Sequence, residues 1–197
     1  MTHTTLKLLP PNVRIVLSCD ADPECPHDWT GWRLVSFGRR HPTYADPDRY
    51  YAGLDARGDP IPAQVGLRRR LAVGTAFWLS YYEHGSCRWS LIDEGARCPW
   101  DGVRLAGILL WEGPKRDLPG SRLQRSEYAR KFLDAYTAWS NGETFRYLIT
   151  SETGEVLDAS GGHVDPEAMF QEIRRVVHGL TVAVEGDASW LADYHVI

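Results

Sequence analysis

One short stretch concentrates the reactive side chains of this 197-residue chain. The sequence YYEHGSCRWSL, residues 81–91, places Glu83, His84 and Cys87 around a single glycine. Imidazole nitrogens and thiolates are ligands that zinc prefers, and four of them make a tetrahedral structural site. The candidate zinc ligands of the whole chain are Cys19, Cys25, His27, His84, Cys87 and Cys98. The sequence predicts no organic cofactor, and a structural zinc is one hypothesis for these residues.

The spacing of these ligands argues against the zinc hypothesis. Structural zinc sites usually draw half of their ligands from a C-x2-C pair, and the sequence contains no such pair. The alternative is that the cysteines are reduced, small apolar side chains in or near the core.

A catalytic role for the same stretch is a second hypothesis. Glu83, His84 and Cys87 could serve a small hydrolase or a metal-dependent nuclease. However, the sequence has no G-x-S-x-G nucleophile elbow and only three lysines for a nuclease centre of carboxylates and lysine. A catalytic cysteine also normally meets its histidine across the fold. We therefore assign no catalytic residue and favour a hairpin turn between two aromatic strands.

A second group of side chains could bind a macromolecule. The stretches FGRRHPTY, DRYY and GLRRR interleave arginine with tyrosine, a composition suited to phosphate contacts and base stacking. The isoelectric point of about 6.0 is low for a dedicated nucleic-acid-binding protein, so nucleic acid is the alternative to a protein partner. The candidate contact residues are Arg39, Arg40, Tyr44, Arg49, Tyr50, Tyr51, Arg68, Arg69 and Arg70.

Charge is unevenly distributed along the chain, whose net charge is −4. Residues 33–70 contain eight arginines and four aspartates, whereas residues 151–197 contain nine acidic residues and two arginines. One interpretation is a polarised surface on which Asp187 and Asp193 form an acidic contact face. The other is that the arginines pair with this acidic quarter, or with the DPD sequence at residues 46–48.

Hydrophobic periodicity predicts the elements that must position these groups. A β-branched run predicts a strand at NVRIVLS, and alternation predicts one at WRLVSFG. The more apolar run VRLAGILLWEG predicts a central strand, and hairpins are expected around EHGS and around Thr153-Gly154. Helical spacing predicts two amphipathic helices, at about 122–141 and 166–178. Asp165 is the expected N-cap of the second helix, Gly179 its expected end, and LTVAVEG a final strand.

The order of these elements predicts an α+β fold, mainly an antiparallel sheet of hairpins with both helices on one face. The chain length favours a single domain over residues 1–197. A long Pro/Asp/Arg-rich loop at about 39–70 interrupts the pattern, with one helical turn after Asp46.

The sequence also predicts the cellular compartment of the protein. It shows no apolar run of roughly 18 residues and no signal-peptide pattern. We therefore expect a cytoplasmic protein that has no membrane partner and no disulfides.

A resemblance to known proteins rests on three stretches of the sequence, GTAFWLSYYEHGSCRWSL, DASGGHVDPEAMFQEIR and LTVAVEGDASWLADYH. They resemble uncharacterised small accessory proteins of actinobacterial phages and integrated mobile elements, over about the C-terminal two thirds of the chain. The resemblance carries no catalytic residues. It implies a non-enzymatic protein that binds a host protein or protein complex, for example as an inhibitor of a host defence nuclease. The partner's identity and the oligomeric state stay open.

Overall fold

A computed structural model describes residues 4–6, 13–95, 98 and 100–183. Its fold is α+β and dominated by antiparallel sheet, which confirms the predicted class. The helices are α1 (Pro26–Trp29), α2 (Val65–Val73), α3 (Arg122–Ser140) and α4 (Pro166–Ala183). The strands are β1 (Thr4–Leu6), β2 (Val13–Cys19), β3 (Trp32–Ser36), β4 (Tyr51–Leu54), β5 (Pro60–Pro62), β6 (Ala76–His84), β7 (Ser86–Leu91), β8 (Gly102–Trp111), β9 (Phe145–Ser151) and β10 (Val156–His163). Across the described ranges, no helix combines the length and the apolar character that crossing a bilayer requires.

Contacts divide the chain into two compact units. The terminal unit comprises Met1–Pro23 and Gly142–Ile197, and the central unit comprises Glu24–Asn141. The single domain over residues 1–197 stays a prediction.

The terminal unit is a four-stranded antiparallel sheet, of order β1-β2-β9-β10, packed against α4. Burial alternates along β9, so that Tyr147 and Ile149 enter the core. On α4 the core residues Met169, Ile173 and Val177 recur every fourth position, which places them on one face of the helix.

The central unit is built on a second four-stranded sheet, of order β3-β8-β6-β7, that is buried on both faces. The apolar strand β8 lies inside this sheet, as its composition predicts. Neighbouring residues of β8 feed two separate cores, because side chains alternate along a strand. Leu109 packs with Phe132 and Tyr136 of α3, whereas Ile108 packs with Leu67 of α2. The two long helices therefore pack on different sheets, α3 on that of the central unit and α4 on that of the terminal unit. The prediction that both helices lie on one face of a single sheet was wrong.

The β7 edge of the central sheet is closed by side chains at the end of α3. Asn141 Oδ1 accepts a hydrogen bond from the N–H of Cys87 at 2.8 Å, and its Nδ2 donates to the Cys87 carbonyl at 3.0 Å. Thr137 Oγ1 accepts from the N–H of Trp89 at 3.1 Å. An exposed strand edge is a template for a further strand, and these bonds occupy it.

The opposite edge, β3, is closed in the same manner. The N–H of Leu34 donates to Nε2 of His27 at 3.0 Å, and the N–H of Trp32 donates to Oγ1 of Thr30 at 3.2 Å. The N–H of Ser36 donates to a main-chain carbonyl, that of Thr43, at 3.1 Å. Alternate residues of β3 therefore find partners within the central unit.

The segment predicted as a long loop holds more structure than expected. A 3-10 helix over Pro47–Arg49, capped by Asp46, confirms the helical turn. β4 and β5 pair with each other, and α2 begins at Val65, inside the predicted loop. The sequence does not reveal α2 because Leu67 is its only buried residue, so no apolar stripe marks the helix.

The end of α4 was also predicted wrongly. Asp165 Oδ1 accepts from the N–H groups of Glu167 and Ala168, which confirms the N-cap. The helix, however, continues through Gly179 to Ala183, so residues 180–183 of LTVAVEG are helical. A glycine inside a helix costs only about 1 kcal/mol relative to alanine and does not by itself end it. Residues 184–186 of the predicted strand lie outside the described residues.

Candidate functional site

The β6–β7 hairpin separates residues that YYEHGSCRWSL brings together in sequence. Tyr81 pairs with Trp89 and Glu83 pairs with Cys87, around a turn at Gly85 whose φ is 78°. Paired residues share a face of a hairpin, whereas successive residues of one strand point to opposite faces. His84 therefore lies on the face opposite to Glu83 and Cys87. The catalytic set that the sequence offers as an alternative does not converge.

His84 contacts a different carboxylate. Its Nδ1 lies 3.2 Å from Oδ2 of Asp101, and the thiol of Cys98 lies 3.6 Å from the same oxygen. Two predicted zinc ligands thus meet through Asp101. Within residues 4–6, 13–95, 98 and 100–183, no group of three His, Cys, Asp or Glu side chains could hold a metal ion. The structural zinc stays a prediction.

His27, another predicted ligand, has a structural role at the edge of the sheet. Its Nε2 accepts the N–H of Leu34, and its ring stacks on Phe132 and Tyr136 at centroid distances of 5.7 and 5.0 Å. Burial lowers the pKa of His27, which keeps the accepting nitrogen unprotonated. Cys19, in contrast, is exposed at the end of β2 in the terminal unit.

All four cysteines are free thiols. Burial raises the pKa of Cys25 and of Cys87, and the nearby carboxylate of Glu83 adds to the effect on Cys87. A nucleophilic cysteine needs a lowered pKa, because the thiolate is the reactive form. The environment of these two thiols favours the protonated state, which suits packing.

The predicted contact residues divide into a structural set and an exposed set. Tyr50 and Tyr51 pack on Phe37 at ring-centroid distances of 5.8 and 5.9 Å, and the Arg70 guanidinium donates to the carbonyl of Trp111 at 2.7 Å. The exposed set is Arg39, Arg40, Tyr44, Arg49, Arg68 and Arg69. Asp187 and Asp193 lie outside the described residues.

The arginines exposed between residues 39 and 69, a stretch called the basic segment below, have no acidic partner in the part of the chain that the structure describes. Asp46 caps the 3-10 helix, and Asp59 pairs with an arginine outside the segment. The arginine ion pairs of the described ranges are Arg33–Glu112, Arg104–Asp59, Arg104–Asp93, Arg116–Asp117 and Arg130–Glu94. The aspartates of the DPD sequence therefore do not neutralise the basic segment.

Apolar side chains accompany these arginines. Leu54 on β4, Ile61 on β5 and Val65 at the start of α2 are 57%, 37% and 85% exposed. The three elements follow one another along the basic segment. Exposed apolar side chains next to arginines are typical of protein-binding surfaces.

A cavity of about 510 Å³, called the Trp89 pocket below, opens at the start of the basic segment. The end of β3 and the stretch after it supply one wall, and the hairpin supplies Tyr81, Glu83 and Trp89. The first wall consists of Ser36, Phe37, Gly38, Arg40, His41 and Pro42, and β8 supplies Val103, Leu105 and Ala106. There β8 contains a bulge: the four residue steps from 103 to 107 on β8 lie opposite only two steps, from 81 to 79, on its antiparallel partner β6. Bulges of this kind are frequent beside binding sites.

Hydrogen bonds fix the polar groups of the Trp89 pocket. Nδ1 of His41 accepts the N–H of Thr43 at 3.2 Å, so a neutral ring carries its proton on Nε2. Burial lowers the pKa of His41 and favours this neutral form. Tyr81 donates to Oε2 of Glu83 at 2.9 Å, and burial together with this bond raises the pKa of Tyr81. The pocket thus combines aromatic walls with a carboxylate and, through Arg40, a cation.

Comparisons with known proteins assign no role to these residues. No protein family, curated protein or solved structure matches the chain. The pocket is not predictable from local sequence, because its walls come from residues 36–42, 81–89 and 103–106, which no motif connects. Its only sequence signal is the length of the segment after β3, since long excursions are often functional.

Proposed function

We propose that this protein is a non-enzymatic binding protein whose basic segment contacts an acidic protein partner. The observation that carries the proposal is the set of exposed arginines that have no acidic partner in the described ranges, in a unit where Arg104 and Arg130 do have one. Uncompensated surface charge accelerates and orients association with a partner of opposite charge.

The side chains around the arginines favour a protein over a nucleic acid. Leu54, Ile61 and Val65 offer aliphatic surface, which packs against a protein but does not stack on a base. Tyr50 and Tyr51, which could stack on bases, are half-buried against Phe37, which leaves Tyr44 as the exposed tyrosine of the segment. Nucleic acid is accordingly the second candidate for the partner.

The geometry of the hairpin argues against a hydrolase or nuclease reaction at these residues. His84 lies on the face opposite to Glu83 and Cys87, and burial raises the pKa of the Cys87 thiol. A histidine that should activate a thiol must lie within hydrogen-bond reach of it.

The resemblance to accessory proteins of phages and mobile elements extends the proposal to the identity of the partner. A host protein or protein complex, including a defence nuclease, is the partner class that this resemblance implies. Asp187 and Asp193 belong to the same proposal as a second, acidic contact face.

A charge-reversal variant tests the proposal. The wild type, used as bait in an extract of an actinobacterial host, should retain a partner that Arg39→Glu/Arg40→Glu/Arg68→Glu/Arg69→Glu loses. We expect the affinity of the purified pair to fall by at least about 100-fold, because each reversal replaces attraction by repulsion. The control is Lys115→Glu/Arg116→Glu, which reverses two exposed charges outside the segment.

Equal retention by the quadruple variant, the control and the wild type would contradict the proposal. Retention that nuclease treatment of the extract abolishes would favour nucleic acid instead. Urea denaturation of all three proteins shows whether a loss of binding reflects unfolding.

A further inference from the structure

We propose that the Trp89 pocket anchors this contact surface by receiving a tyrosine or tryptophan side chain that acidic residues flank on the partner. The inference rests on the proposed function and names the chemistry that the surface recognises. Arg40 and His41 belong both to the pocket and to the basic segment, so the two form one continuous surface. Protein interfaces commonly concentrate their binding energy in an aromatic side chain that fills such a pocket.

The size and the walls of the pocket suit an aromatic side chain. Its volume of about 510 Å³ lies in the range of roughly 300–1,000 Å³ that is usual for ligand pockets. It therefore has room for an aromatic ring and part of the flanking backbone. Phe37, Tyr81 and Trp89 are among its lining residues, and aromatic rings pack well in offset or edge-to-face arrangements.

Glu83 selects for a ring that carries a hydrogen-bond donor. Its Oε2 already accepts from the Tyr81 hydroxyl, while Oε1 has no hydrogen-bond partner among the residues that the structure describes. A tyrosine O–H or a tryptophan N–H can donate to this oxygen, whereas phenylalanine cannot.

Arg40 and His41 select for the residues that flank the ring. The Arg40 guanidinium lines the pocket and has no acidic partner in the described ranges, so it can pair with a carboxylate of the partner. Nε2–H of His41 adds a neutral donor, because Nδ1 is held as an acceptor by Thr43. A positively charged flank would meet Arg40 and its neighbour Arg39 and be repelled.

Three capped peptides test the inference on the full-length protein. The probes are N-acetyl-Glu-Tyr-Glu-amide, its Glu-Phe-Glu counterpart and its Lys-Tyr-Lys counterpart, titrated while amide chemical shifts are recorded. Glu-Tyr-Glu should shift the amides of residues 38–41, 81–89 and 103–106 in a saturable manner. We expect affinity to fall about tenfold for Glu-Phe-Glu, which loses a hydrogen bond to a charged group, and at least as much for Lys-Tyr-Lys.

A pocket-filling variant provides the structural control. Val103→Trp places a large side chain in the pocket from an exposed position, and Val156→Trp makes the same change on an exposed strand of the terminal unit. Glu-Tyr-Glu should bind Val103→Trp at least about tenfold more weakly than it binds Val156→Trp or the wild type. Glu83→Gln should reduce the preference for tyrosine over phenylalanine.

The outcomes separate this inference from the proposed function. Absence of a saturable shift up to about 5 mM Glu-Tyr-Glu overturns the inference, as does equal binding by Val103→Trp and Val156→Trp. In either case the charge-reversal result at the basic segment still stands for the proposed function. If the peptide binds at the pocket but the quadruple variant still retains the partner, the pocket is a binding site for aromatic side chains and the proposed function is wrong.

Discussion

Arg69 and Arg70 are neighbours on α2, but the protein uses them differently. Arg70 donates to the carbonyls of Trp111 and Thr75, at 2.7 and 3.4 Å, whereas Arg69 is exposed and has no acidic partner in the described ranges. The same contrast separates the central sheet from the basic segment. At the sheet edges side chains such as Asn141 satisfy strand N–H groups, while the segment leaves its cations unmatched. Matched polar groups hold the fold, and unmatched ones remain available for a partner.

Removal of the Asn141 side chain should have the largest effect on stability. Asn141→Ala leaves the N–H and the carbonyl of Cys87 without their partners at the β7 edge. We expect the free energy of unfolding to fall by about 2–3 kcal/mol, since two hydrogen bonds are lost and partly buried groups stay unsatisfied. Urea denaturation followed by tryptophan fluorescence measures it. Asn141→Asp keeps the acceptor and removes the donor, so its free energy of unfolding should lie between those of Asn141→Ala and the wild type. An unchanged urea midpoint for Asn141→Ala would show that these hydrogen bonds do not stabilise the β7 edge.

Alanine at Arg70 and at Arg69 compares the two classes of arginine on one helix. Arg70→Ala should lower the free energy of unfolding by about 1–2 kcal/mol, because the Trp111 carbonyl loses a donor. Arg69→Ala should change it by less than about 0.5 kcal/mol, as is usual at exposed positions. Thermal or urea unfolding of both proteins checks this difference. The contrast fails if the two variants lose equal stability.

Acidification should destabilise the central unit through His27 and His41. The pKa of each is lowered in the folded protein, mainly by burial, so the unfolded chain binds a proton more readily. The free energy of unfolding therefore falls as the pH drops below about 6.5, and this fall ends below the lowered pKa of the folded state. One histidine contributes a slope of at most about 1.4 kcal/mol per pH unit.

The contribution of His27 to this pH dependence can be isolated. His27→Gln keeps an acceptor for the N–H of Leu34 but does not titrate. Its stability should depend less on pH than that of the wild type between about pH 6.5 and 4.5. Parallel curves for the two proteins would mean that His27 is not responsible.

Arg130→Ala should have a smaller effect on stability than Arg70→Ala. The guanidinium donates to both carboxylate oxygens of Glu94, at 2.9 and 2.7 Å, but the pair lies at the surface, with side chains 42% and 40% exposed. Exposed pairs contribute at most about 1 kcal/mol, so we expect a loss near 0.5 kcal/mol that decreases at high salt. A loss above about 2 kcal/mol, unaffected by salt, would place Arg130 with Arg70 instead.

Much of this fold can be predicted because its hairpin turns and helix caps depend on residues that are close together in the sequence. The hairpin is specified by residues that alternate between its two faces, such as Tyr81 and Tyr82, and by the glycine at position 85. Asp165 marks the start of α4. The same rules miss α2, since only Leu67 is buried on it. They end α4 too early, because a glycine weakens a helix without necessarily stopping it.

The candidate site is less predictable for a physical reason. Asn141 and Cys87 are 54 residues apart, and no sequence pattern shows that an amide side chain replaces a neighbouring strand. The composition of residues 39–70 indicates a binding surface. Which arginines are free, however, depends on tertiary contacts such as that between Arg70 and Trp111.

Arginine-selective labelling with phenylglyoxal, read by mass spectrometry with and without the retained partner, tests the central claim most directly. In the free protein, Arg39, Arg40, Arg68 and Arg69 should react faster than Arg70, because their guanidinium groups are not held by the fold. In the complex, the account predicts that these fast sites become protected. Unchanged labelling of the basic segment, with protection elsewhere on the molecule, would contradict the account.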